Sequence, residues 1–448
     1  MTETLDLIVI GAGMAGINAA KKCSQAGWSV AIVDELPYGG TCALRGCDPK
    51  KMLRAGAEAV EAVRLLEGKG VAGETRIDWP TLMKHKESFT DPVPESMESA
   101  LTEAGVKTLH GRARFTAEDR IEIDGYGEIA FRRALIATGA KPRPLKFPGA
   151  ERLIDSTDFL NLAELPRRIA FVGGGYISFE FAHIAALAGA EVTILDRGAR
   201  QLKMFDPELV KMLLERSREA GIKIAAEAEM ERIEDANGAR RVLYRRAGQS
   251  HSIEADLVVH GAGRVPAIDH LDLAAADIET EHGGVKVMPW LQSPSNPRIY
   301  AAGDAAASPG KPLTPVAVFE GKIAASNMLK GKRTEPDYTG VPSVVFTIPE
   351  LARVGLLEEE AREVGDVEVS FTDTSGWFSQ KRIGETHAGA KIIPGKDGKI
   401  LGAPMFGPES AALINVFSLA IKLGVTAAQV KAMPAAYPTG ASDLGSMF

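Results

Sequence analysis

Residues 5–16 read LDLIVIGAGMAG, and this stretch decides the fold. Leu5–Ile10 is apolar except at Asp6, with β-branched residues and an unbroken apolar stretch over Leu7–Ile10, as a strand buried on both faces requires. Gly11, Gly13 and Gly16 follow at the spacing G-x-G-x-x-G. An apolar helical stretch then runs to about Ala26, and a second strand, Ser29–Val33, ends at Asp34. Strand, glycine turn, helix, strand and acid in that order make a dinucleotide-binding unit. Gly11 permits the tight turn, Gly13 lets backbone approach a pyrophosphate, and Gly16 allows the helix to pack close to the sheet with its N-terminus facing the phosphates. Asp34, 18 residues beyond Gly16, is placed to accept from a ribose hydroxyl.

The pattern returns further on. Arg168–Val172 is a strand, Gly173-Gly174-Gly175-Tyr176-Ile177-Ser178 the turn, and Phe179–Leu187 a helix. Glu191–Leu195 is the next strand, ending at Asp196-Arg197. Ser178 stands where the third glycine would be and is small enough to keep the packing. Two complete units imply two nucleotides. Ala134–Ala137 runs into Thr138-Gly139, Asp256–Val259 leads to Gly261-Ala262-Gly263, and Arg298–Ala302 ends in Gly303-Asp304. That last acid arrives at a strand terminus, where a cofactor hydroxyl could sit. From about Pro336 the composition shifts to alternating strands, Ser343–Thr347 and Ala390–Ile393, followed by helical stretches Ser410–Leu423 and Ala427–Ala432. This reads as a separate α+β domain.

Composition narrows the function classes. The 448 residues suggest two to four domains, and 45% hydrophobic with 25% charged residues is a globular balance. A formal charge of −7 argues against a nucleic-acid footprint. No apolar run approaches the ~18–20 residues of a membrane span, and the opening MTETLD is acidic where a signal peptide needs a basic segment. A cytoplasmic protein is expected. Three cysteines exclude a disulfide-stapled scaffold, while 46 glycines, about a tenth of the chain, exceed the usual ~7%.

Two of those cysteines lie in residues 39–51, GGTCALRGCDPKK. Cys42 and Cys47 are five apart, and Pro49 with the helix formers after it suggests a helix starting near Pro49. A thiol at such an N-terminus gains from the macrodipole and from Lys50 and Lys51, which lowers its pKa; Asp48 works the other way. Cys23, on the first helix, reads as a core residue.

In combination these motifs resemble the pyridine nucleotide–disulfide oxidoreductase family, the group of glutathione reductase, dihydrolipoamide dehydrogenase and mercuric reductase. The family's redox segment, GGTC-x-N-x-GC-x-P, is matched by GGTCALRGCDP. Further matches run in order: Ala137-Thr138-Gly139, Gly175-Tyr176-Ile177, Gly263-Arg264, Ala302-Gly303-Asp304, Leu313–Ala317 and Val344–Phe346. The resemblance implies an α/β chain with two Rossmann-like dinucleotide-binding domains, for FAD and NAD(P)H, plus a C-terminal α+β dimerisation domain. Its segments would be 1–148 (FAD), 149–265 (NAD(P)H), 266–334 (the returning central segment) and 335–448 (dimerisation), in a homodimer. FAD would bind through Gly11, Gly13, Gly16, Asp34, Gly40, Thr41, Thr138, Gly139, Gly303 and Asp304. The coenzyme would bind through Gly173, Gly175, Tyr176, Ser178, Asp196, Arg197, Lys203 and Gly263, with Tyr176 covering the nicotinamide pocket. By the same resemblance Cys47 is the flavin-proximal thiol, Cys42 the interchange thiol, and Lys50 or Lys51 pairs with Glu180.

The departures bear on the acceptor. Where the disulfide reductases carry His-Pro-Thr near the C-terminus, this chain reads Ala436-Tyr437-Pro438-Thr439. A tyrosine titrates near ~10 and a histidine near ~6.5, so Tyr437 cannot shuttle protons in the same way. The supporting glutamate would fall on Ser442, with Asp443 one place late, and Leu44 replaces the usual asparagine of the redox segment. Asp196 favours NADH, whereas Arg197 and Lys203 suit a 2′-phosphate; the balance leans to NADPH. The leading expectation is a flavoenzyme passing electrons through Cys42–Cys47 to a small acceptor. The alternatives are direct reduction of a quinone, metal ion or other electrophile by the flavin, and an electron-carrier subunit serving a protein partner.

Overall fold

The run predicted at Leu5–Ile10 forms β1 (Thr4–Ile10), and after the glycine turn comes α1 (Met14–Gln25) and then β2 (Val30–Asp34). The structure is a computed structural model in which residues 4–331 and 333–448 are described. β2 includes Asp34 itself, so the acid closes the strand rather than following it. β1 pairs in parallel with β2, with Leu7 opposite Val30 and Ile10 opposite Val33. Its other neighbour is the strand Gly127–Ile136, also parallel, to which Ile299–Ala301 adds at the far side. Successive residues point to opposite faces. Leu7 and Val9 therefore join one core with Val30, Ile32 and Cys23, while Ile8 and Ile10 join another with Ala31, Val33 and Phe131. Both faces are buried over Leu7–Ile10, which is why that part of the strand is unbroken apolar sequence. Cys23 is fully buried, as a core residue should be.

The chain divides into two compact units. The first, residues 1–51, 84–143 and 264–338, holds this sheet and the helix Thr314–Lys330. The second, residues 52–83, 144–263 and 339–448, holds a four-stranded parallel sheet. Its order is Lys223–Ala225, Glu191–Leu195, Arg168–Val172, Leu257–His260. A three-stranded antiparallel sheet, Glu229–Ala236, Ala239–Arg246 and Gln249–Ala255, accompanies it. The C-terminal part of this unit carries an antiparallel sheet that includes Ser343–Val345, Glu350–Arg353 and Gly389–Pro394, with the helix Ser410–Leu423 packed on it through Ile414 and Phe417. Among the described residues, no helix is long and apolar enough to cross a membrane.

Candidate functional site

In the first unit the glycine turn is shaped by contacts that leave no room for a side chain. Gly11 has φ +105°, and a Cβ there would lie 2.3 Å from the Ala137 carbonyl oxygen. A Cβ on Gly16 would lie 2.0 Å from the Gly11 oxygen, and one on Gly40 2.6 Å from the Cα of Gly13. Asp34 braces the turn: its Oδ2 accepts from the Ala12 N–H at 2.7 Å and its Oδ1 from Leu36 at 2.9 Å. Burial pushes its carboxyl up, against those two N–H groups. Thr138 Oγ1 is buried without a partner, a cost that a bound polar group would remove. Asp304 lies in the short 3₁₀ turn Gly303–Ala305; burial raises its carboxyl and the Arg264 charge opposes that. A backbone cradle, two acids at strand ends and an orphan hydroxyl fit a dinucleotide such as FAD.

The thiol pair lies in the same unit. Cys42 sits in a one-turn π-helical segment, Thr41–Arg45, which follows Gly40 at φ +65°. Cys47 is the first residue of α2 (Cys47–Leu65), in keeping with the start expected near Pro49. The helix thus begins on the thiol itself, where the macrodipole acts most strongly. Cys42 is half-buried and Cys47 exposed. A hydrogen bond from Cys42 lowers the Cys47 thiol to about 6, helped by Thr314 and the Lys50 charge and opposed by burial and Asp48. The same bond, with burial, drives Cys42 far upward. One proton shared by two thiols leaves Cys47 as the thiolate. Thr314, the first residue of the helix Thr314–Lys330, places its Oγ1 3.4 Å from Cys47 Sγ. The motif Leu313–Ala317 marked this segment in the sequence without giving the threonine a task.

The second unit repeats the turn with different detail. The helix begins at Tyr176 and runs to Leu187, so Tyr176 occupies its first turn rather than the loop before it. Gly173 has φ +111°, and its Cβ would lie 2.4 Å from the Gly261 oxygen. The Asp196 Oδ2 accepts from Gln201 Nε2 at 3.1 Å, and the same amide donates to the Gly198 carbonyl. Gln201 is buried and escaped the sequence reading, because a glutamine five residues past a strand carries no motif. Arg197 and Lys203 are exposed. Gly175 caps the helix in extended backbone, and Gly263 has φ +99° at the end of the unit. Tyr176 stacks edge-on against Phe205 at 5.5 Å and bonds Ser343; burial pushes its phenol up to about 12. Glu180, buried one turn further along, accepts from the Phe346 N–H at 2.8 Å. Arg54, on α2, takes the carbonyls of Phe346 and Thr347, both at 3.0 Å, and pairs with Glu350. Lys50 and Lys51 belong to the first unit and Glu180 to the second.

Tyr437 is 80% exposed. Asp443, one place late for the supporting acid, accepts instead from Ser379 Oγ, and Ser442 donates to the Thr439 carbonyl at 2.6 Å. Neither residue is joined to Tyr437 by those bonds. Among the described residues, no group of three or more His, Cys, Asp or Glu side chains is arranged to hold a metal ion.

Comparison with known proteins covers nearly the whole chain. Residues 5–321 match the family model described as pyridine nucleotide-disulphide oxidoreductase, and residues 341–447 match that family's dimerisation domain. A dihydrolipoyl dehydrogenase of Geobacillus stearothermophilus is 32% identical, covering 98% of this chain and 93% of the relative. A glutathione reductase of Burkholderia cepacia is 32% identical over 98% and 97%. A mercuric reductase of Lysinibacillus sphaericus is 31% identical over 99% and 82%. Among solved structures, the HOCl-induced flavoprotein disulfide reductase RclA from Escherichia coli superposes with a TM-score of 0.89 at 27% identity, covering 99% of both chains. A structure of RclA as a Cu(II) complex matches equally well. Glycine cradles, strand-end acids and a polarised thiol pair in this order, over nearly the whole length of such relatives, make the chain a member of the pyridine nucleotide-disulphide oxidoreductases.

Proposed function

We propose that this protein takes two electrons from NAD(P)H and delivers them through its Cys42–Cys47 couple to a small disulfide or related acceptor. The observation that carries this reading is the placement of the thiol pair: Cys47 opens α2 with Thr314 Oγ1 3.4 Å from its Sγ, and its hydrogen bond with Cys42 draws it down to about 6. FAD, when bound, relays the electron pair from the coenzyme to the disulfide. NAD(P)H becomes NAD(P)⁺ as the S–S bond opens to the Cys42 thiol and the Cys47 thiolate, the hydride supplying both electrons and the one proton; re-forming that bond passes the electron pair and that proton to the acceptor. Cys47, held as a thiolate by Cys42, Thr314 and Lys50, would be the thiol beside a bound flavin. Cys42 keeps its proton and meets the acceptor. Gly11, Gly13, Asp34, Thr138 and Asp304 hold FAD, and Tyr176 shields the nicotinamide pocket. Reduction of the holoenzyme should give a long-wavelength thiolate–flavin charge-transfer band that Cys47→Ser lacks. A wild type without that band overturns the thiol route.

The narrow preference for NADPH rests on Arg197 and Lys203, whose exposed cations suit a 2′-phosphate, while Asp196 works against it. Arg197→Ala should lower the ratio of kcat/KM for NADPH over NADH; an unchanged ratio removes that role. A homodimer in the cytoplasm is part of the proposal, supported for the dimer by the matched dimerisation domain.

A second reading sends electrons from the flavin directly to a quinone or a metal ion. It is favoured by Tyr437, which cannot replace the acid–base histidine, and by the likeness to a reductase described as a Cu(II) complex. In that case two Cu(II) ions would each take one electron per coenzyme oxidised. Cys42→Ser with quinone or Cu(II) as acceptor separates the readings: retained turnover favours the second, and complete loss sinks it.

A further inference from the structure

Glu320 is fully buried in the helix Thr314–Lys330, and the reading above gives it no task. Its Oε2 accepts from the Gly303 N–H at 2.7 Å. Its Oε1 accepts from the Ser308 hydroxyl at 2.5 Å and from the Tyr338 phenol at 2.6 Å. Ser308 in turn accepts from the Gly310 N–H at 3.2 Å. A buried carboxylate is costly unless its oxygens are well supplied with donors, and here three donors converge on one side chain. Burial raises the carboxyl, the donors hold it down, and the neighbouring Asp304 charge adds to the rise.

The placement of this carboxylate says what it achieves. Gly303 has φ +68°, a conformation glycine adopts and leaves easily, so the turn that carries Asp304 needs an outside hold, here on the Gly303 N–H of the peptide joining Ala302 to Gly303. Glu320 supplies that hold from a helix whose first residue, Thr314, touches Cys47. Six residues separate the two positions, about 9 Å along the axis. Gly321 fixes the helix further, because a Cβ there would lie 2.3 Å from the Ala15 carbonyl oxygen of α1. One helix therefore registers the acid-bearing turn, the helix behind the glycine turn and the thiol.

We infer that Glu320 is a positioning residue for the flavin, setting the Gly303–Asp304 turn against the helix that carries Thr314, with Tyr338 and Ser308 holding Glu320 in turn. The inference rests on the reading of Asp304 as a group that binds FAD. Only a carboxylate can take all three donors at once. A glutamine must turn its amide N–H toward at least one of them.

The test uses purified holoprotein: wild type, Glu320→Gln, Tyr338→Phe, Asp304→Asn and the double variant Glu320→Gln/Asp304→Asn. FAD release is followed by the recovery of free-flavin fluorescence, and the charge-transfer absorbance is recorded after reduction with NAD(P)H. Glu320→Gln should weaken FAD binding about tenfold and Tyr338→Phe about threefold, as expected for lost charge-assisted hydrogen bonds. The double variant should be little worse than Asp304→Asn alone, because both changes act on one turn. The remaining holoprotein should show a weaker charge-transfer band as Thr314 shifts. FAD affinity and band unchanged in both Glu320→Gln and Tyr338→Phe would overturn the inference, as would losses that multiply in the double variant. Should Glu320→Gln fail to fold, Tyr338→Phe combined with Asp304→Asn gives the same cycle. A wild type without the band sinks the thiol route alone, and FAD release still judges Glu320.

Discussion

The two glycine turns share a plan and solve one packing problem in opposite ways. In the first, the third position must be glycine: a Cβ on Gly16 would lie 2.0 Å from the Gly11 oxygen. In the second, that position is Ser178, and the missing volume has moved across to Gly261, whose Cβ would lie 2.0 Å from Ser178 Oγ. The strand-end acids differ as well. Asp34 accepts from the backbone of its own turn, whereas Asp196 is held by the Gln201 side chain. The helix after the first turn keeps a polar face with Lys21, Lys22 and Ser24, while the second, Tyr176–Leu187, buries nine of its twelve residues. A shared motif therefore demands a close approach of helix to sheet, and leaves open which partner gives up its side chain.

The largest expected effect separates the two turns. Gly11→Ala adds both a strained φ and a backbone clash, together about 2–4 kcal/mol, and should yield protein without bound flavin. Gly173→Ala carries a similar clash, yet should retain flavin colour while the KM for NAD(P)H rises at least about tenfold. Equal loss of both cofactors in either variant would break the comparison. Next comes pH. The Cys47 pKa in the fold, about 6, lies below the ~8.5 of a free thiol, so the fold favours the thiolate. Its stabilisation is complete above the unfolded value and is lost as pH falls through about 6, where the charge-transfer band should disappear. Tyr176 in the second unit, raised to about 12, stays neutral throughout, so Tyr176→Phe should leave that midpoint unmoved.

A smaller effect tests the exchanged glycine. Gly261→Ala should lower the melting temperature by an amount worth about 1–3 kcal/mol, and adding Ser178→Gly should restore most of it. No rescue would mean that Gly261 answers to some other contact. The smallest concerns Gln201. Freed from its amide in Gln201→Ala, the Asp196 carboxylate can swing away from an incoming phosphate. The NADPH-to-NADH ratio of kcat/KM should then rise about two- to fivefold, a change of under ~1 kcal/mol.

Much of this molecule was legible in the chain. The strands Arg168–Val172 and Glu191–Leu195 and the helix Ser410–Leu423 stand at their expected bounds, because apolar periodicity is a local property. The helix at the redox segment begins on Cys47, close to the start expected near Pro49, and so places that thiol at the helix N-terminus as the sequence suggested. Gln201, Arg54 and Glu320 were not legible. Each acts on a partner distant in sequence or on a backbone group, and neither kind of bond leaves a spacing to read.

Residue order alone determined that this chain builds two dinucleotide cradles and places a thiol pair beside the first, because glycine spacing, strand-end acids and Cys-x₄-Cys are written over short distances. Tertiary structure decided how the pair is polarised: the hydrogen bond between the two thiols draws Cys47 down and pushes Cys42 up, while Thr314, 267 residues away from Cys47, lowers both. It likewise decided that Tyr437 stands exposed and that Asp443 bonds Ser379 instead. A pKa and a hydrogen bond are set by what approaches a group in space, and space is what the fold supplies.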